Sequence, residues 1–117
     1  MEDLERYLDD LERAETVAFG GVGFAGEVLP ETRAFDTIAE RCTPALRPRL
    51  ERLLDAASPA GRVYAAVLIG RMDPEAGRQA WDRLAGDRAP VDTFSGCVRN
   101  RTTLAEYAAA YHEGQPG

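Results

Sequence analysis

Three short pairs set the rhythm of this chain: Thr43-Pro44, Ser58-Pro59 and Asp73-Pro74 recur fifteen residues apart. Each joins a residue type that caps helix N-termini to a proline, which the first turn of a helix tolerates because the N–H there has no partner to lose. A step of that length leaves room for one helix and a tight turn, so the middle of the chain is predicted to be a succession of short helices. Ser58 and Asp73 read as true starts. At Thr43 a helix running straight on would hold Pro48 in its interior at a cost of about 3 kcal/mol, so that helix is expected to begin near Pro48, with Leu50, Leu53, Leu54 and Ala57 inward.

Apolar spacing extends the same reading to both ends. Leu4, Tyr7, Leu8 and Leu11 form one stripe at i, i+3, i+4 and i+7. Phe35, Ile38, Ala39 and Cys42 repeat the spacing, and a second helix is expected over 32–42. Residues 59–72, PAGRVYAAVLIGRM, are apolar almost all round between Val63 and Ile69, as in a helix covered on every side by neighbours. The segment from Pro74 to about Ala85 is amphipathic, with Ala80, Trp81 and Leu84 inward. Thr103-Leu104-Ala105-Glu106 is a capping box opening a last helix that buries Leu104, Tyr107, Ala108 and Tyr111. Between these, Gly20–Gly26 breaks the pattern as a loop with some short extended structure, and 89–98 is expected to be irregular or briefly extended. The fold class is all-α: a compact bundle of about six short helices in one domain over 1–112, with 113–117 frayed. Two-helix steps near thirty residues also suggest HEAT-like hairpins, with an irregular bundle as the alternative.

With 117 residues there is room for one core. The 44% hydrophobic and 29% charged residues are ordinary globular proportions. No run of about 18 apolar residues is long enough for a membrane span. A net charge of −6 argues against nucleic acid and anionic membranes as partners, since both attract basic surfaces. The acidic opening lacks the basic-then-apolar order of a secretory signal, and a cytoplasmic location is expected.

Candidate chemistry is sparse. All fourteen basic residues are arginine and His112 is the single histidine, which excludes lysine nucleophiles and histidine-rich metal sites. Gly21-Val22-Gly23-Phe24-Ala25-Gly26 matches G-x-G-x-x-G. That pattern cradles a pyrophosphate only between a buried strand and a helix N-terminus; here Pro30 intervenes and no parallel-sheet pattern follows. Cys42 and Cys97 read as buried reduced thiols, with a structural disulfide or a reactive Cys97 assisted by His112 as the alternatives. No cofactor is expected.

Charge is distributed unevenly. Residues 1–40 hold eleven acids and three arginines, net −8, whereas 41–101 hold seven acids and eleven arginines, net +4. Either the acidic first helix lies across Arg41, Arg47, Arg49 and Arg52, or Asp9, Asp10 and Glu12, with Phe24 of the adjoining glycine segment, face a partner protein with a basic surface. A homodimer through the apolar central helix, Val22 and Phe24 is a third reading.

The order of three motifs (Phe19 to Gly26, then Ser58-Pro-Ala-Gly-Arg-Val-Tyr-Ala65, then Ser95-Gly-Cys97) resembles a group of small uncharacterised bacterial helical proteins. That group shares a glycine-rich segment, an (S/T)PAGxxYA helix start and a GC motif. The resemblance implies a compact helical domain and carries no catalytic residues. The functional expectation is a non-catalytic protein–protein interaction domain, of the inhibitor or immunity kind or a subunit of an assembly. A small cysteine-dependent enzyme or redox protein using Cys97 is the alternative.

Overall fold

A computed structural model describes residues 2–18, 30–41, 44–95 and 98–113. The chain runs α1 (Glu2–Glu12), β1 (Thr16–Ala18), α2 (Pro30–Glu40), a 3-10 turn (Pro44–Leu46), α3 (Arg47–Ala56), α4 (Pro59–Met72), α5 (Pro74–Leu84), β2 (Pro90–Ser95), β3 (Val98–Thr103) and α6 (Leu104–Glu113). It is mostly helical, as expected, with a small sheet added.

α4 is the centre. Its residues from Val63 to Ile69 are all buried, and α3, α5, α1, β1 and β2 pack around it. Both proline-led starts form as the residue types dictate. Ser58 Oγ accepts from the Gly61 N–H at 3.2 Å, and Asp73 Oδ1 accepts from the N–H groups of Glu75 and Ala76 at 3.1 and 3.4 Å. α3 begins at Arg47, one residue before Pro48, which occupies the tolerant first turn. Thr103 caps α6 by accepting from the Glu106 N–H at 3.1 Å. The core includes Leu8, Leu11, Phe35, Ile38, Tyr64 and Trp81, the last two exposed by 0% and 3%.

One expectation is corrected and another is made more definite. The second helix covers Pro30–Glu40 rather than 32–42, because Pro30 takes a place in its first turn instead of ending the preceding segment. The stretch after α5 is a ribbon: β2 pairs antiparallel with β3, from Pro90↔Thr103 to Ser95↔Val98, and β1 joins the other edge of β2 in parallel, with Thr16↔Asp92. In this sheet Thr16, Val17 and Val91 are buried, whereas Asn100 and Arg101 are exposed. Nothing in the arrangement favours HEAT-like hairpins over an irregular bundle.

Candidate functional site

The residues of the Ser58 helix start converge on the backbone between α1 and β1. Ser58 donates its N–H to the Glu12 carbonyl at 2.9 Å and its hydroxyl to the Ala14 carbonyl at 2.6 Å. One turn on, Gly61 lies so close to the Leu11 carbonyl that a Cβ would collide with that oxygen. Another turn on, buried Tyr64 donates its hydroxyl to the Thr16 carbonyl at 3.2 Å. Glu12 ends α1 and Ala14 lies just beyond it, where backbone carbonyls have no intrahelical partner. Ser58 thus caps its own helix while completing the end of another.

Arg62, in the same turn as Gly61, reaches the opposite way. Its guanidinium donates to the Ala57 carbonyl at 3.0 Å and to Asp87 Oδ2 at 2.5 Å. Asp87 in turn receives the Ala89 N–H on Oδ1, at 2.9 Å, and the Ala105 N–H on its backbone carbonyl, at 2.8 Å. The segment resembling (S/T)PAGxxYA therefore has a physical meaning in this chain: Ser, Gly and Tyr hold α1–β1, and the intervening Arg holds the approach to β2 and the start of α6.

Fixed in this way, α1 buries Leu8 and Leu11 and leaves Glu5, Arg6, Asp10 and Glu12 exposed, with Asp9 half-buried. Burial of each leucine contributes about 1.5–3 kcal/mol. Glu5, Asp9 and Glu12 share one side of the helix by their spacing of four and three residues, and Arg49 of α3 lies against that side. Arg49 donates to Glu5. That hydrogen bond, opposed by desolvation and aided by the charges of Arg49 and Arg52, holds the Glu5 carboxyl below its ordinary value. The Arg49 pKa is raised, first by the same hydrogen bond and then, over desolvation, by the charges of Glu5, Asp9 and Glu12. Asp10 is turned about 100° from Asp9 and exposed, with exposed Arg6 and Arg13 running between.

The three expected contact acids are thus not equivalent. Asp9 and Glu12 stand in the field of Arg49, whereas Asp10 stands apart from it. Of the arginines expected to lie under the acidic helix, Arg49 meets Glu5 directly and Arg52 acts on it through charge. Arg47 pairs instead with Glu51 at 3.2 Å and Asp73 at 3.4 Å. Arg41 enters no ion pair among the described residues.

Glu51, Asp55, Asp73, Glu75, Asp87 and Asp92 each have an arginine within ion-pair distance, whereas Glu15, Asp36, Glu40 and Glu106 enter no ion pair among the described residues. Asp9, Asp10 and Glu12 have none among the described residues.

Phe24, Cys42 and Cys97 lie outside the described residues, as do Gly20–Gly26; His112 falls in the last turn of α6. No group of three or more His, Cys, Asp or Glu among the described residues could hold a metal ion, and no helix there is long and apolar enough to cross a membrane. No protein-family model, curated protein or solved structure matches the chain.

Proposed function

We propose that the protein is a non-catalytic interaction domain that presents the outer side of α1 to a basic protein surface, as an inhibitor- or immunity-like partner or as a subunit of an assembly. The observation that supports this reading is clustering: Asp9, Asp10 and Glu12 fall within one turn of α1 without ion pairs among the described residues, on a helix end held by backbone contacts from Ser58. Unmatched charge of one sign steers association with a partner of the other sign and raises its rate.

The test is capture of the tagged protein from its native cell extract at low and moderate salt, as wild type and as Asp10→Arg. Asp10 is the discriminating position because its reversal places no new cation beside Arg49. One stoichiometric protein, released as salt rises and missing from the variant, is the expected result. Recovery of the same protein with the variant, or of no protein with either form, overturns the proposal. Circular dichroism of the variant confirms that the helices are intact.

A further inference from the structure

We draw no further inference here: the strongest candidate, the open depression of about 360 Å³ between the α1–β1 turn, the start of α4 and the β2–β3 ribbon, sets Arg13 and Arg101 against Glu15 and Asp92 beside a helix start that Ser58 already caps, and nothing in the structure shows what ligand would occupy it.

Discussion

α4 meets α1 at one end and α5 at the other, and the two junctions use the same parts differently. Each has a polar cap that bridges two helices, Ser58 or Asp73, and a glycine that lets two backbones touch. Gly61 lies against the Leu11 carbonyl, and Gly77 lies against the Cα of Gly70. At the α5 junction the cap is also an ion-pair partner: Asp73 binds Arg47, and nearby Asp55 binds Arg83. At the α1 junction the hydrogen bonds of Ser58 and Tyr64 and the close approach of Gly61 are made to backbone carbonyls. On the acidic side of α1, Glu5 is tied to Arg49, but Asp10 faces away from that arginine and can vary, or serve a partner, without loosening the fold.

The largest expected effects test whether the junctions are equally buried. Tyr64→Ala at the first and Trp81→Ala beside the second should each cost about 3–5 kcal/mol in chemical denaturation. A loss below about 1 kcal/mol at either would remove that side chain from the core.

Next come the glycines. Gly61→Ala and Gly77→Ala should each destabilise by about 1–3 kcal/mol, even though alanine favours a helix over glycine by about 1 kcal/mol. Gly70→Ala is the control: its Cβ would sit 3.5 Å from the Gly77 Cα, an ordinary contact. It should be neutral or stabilising, and an equal loss at Gly70 and Gly77 would mean the crossing is drawn wrongly.

Ser58→Ala should cost about 1–2 kcal/mol, near the upper end for a lost cap, because the Ala14 carbonyl loses its donor as well. In hydrogen exchange the amides following Ala14 should open more than those of α5; uniform opening would contradict a junction-specific role. Asp10→Arg should change stability by no more than about 0.5 kcal/mol, with its effect confined to partner capture.

The smallest effect is electrostatic. The folded-state pKa of Glu5 lies below its unfolded value, so its contribution is complete above the unfolded pKa and is lost as pH falls through the folded one. Arg49→Met should bring the Glu5 side-chain titration, followed by NMR, back up towards the ordinary glutamate range. An unchanged titration midpoint would show that Arg49 does not set it.

The second junction was far more legible in the sequence than the first. Asp73-Pro74 and the amphipathic stripe through Trp81 act within one stretch of chain, and local residue types suffice to place them. Ser58 was legible as a cap, but its second role was not, because Glu12, Ala14 and Thr16 take part through carbonyl groups that every residue carries. The one available sign was Gly61 inside an otherwise apolar helix, where glycine weakens the helix and marks a close approach. β3 escaped for another reason: Val-Arg-Asn-Arg-Thr-Thr lacks the apolar alternation of a half-buried strand, and Asn100 and Arg101 pair with β2 at exposed positions. For α1 the excess of acid was plain, whereas the contact of Arg49 with Glu5, and the separation of Asp10 from it, depend on how the helices are set against each other.

The parallel pairing of Thr16 with Asp92 has a kinetic consequence. It joins the first strand of the chain to one that follows five helices, and closing so long a loop brings an entropic penalty before any contact returns it. Helices and their tight turns form from neighbouring residues and need not wait. During synthesis α1 through α5 can assemble while β2 is still within the ribosome, leaving β1 an unpaired edge until the last quarter of the protein emerges.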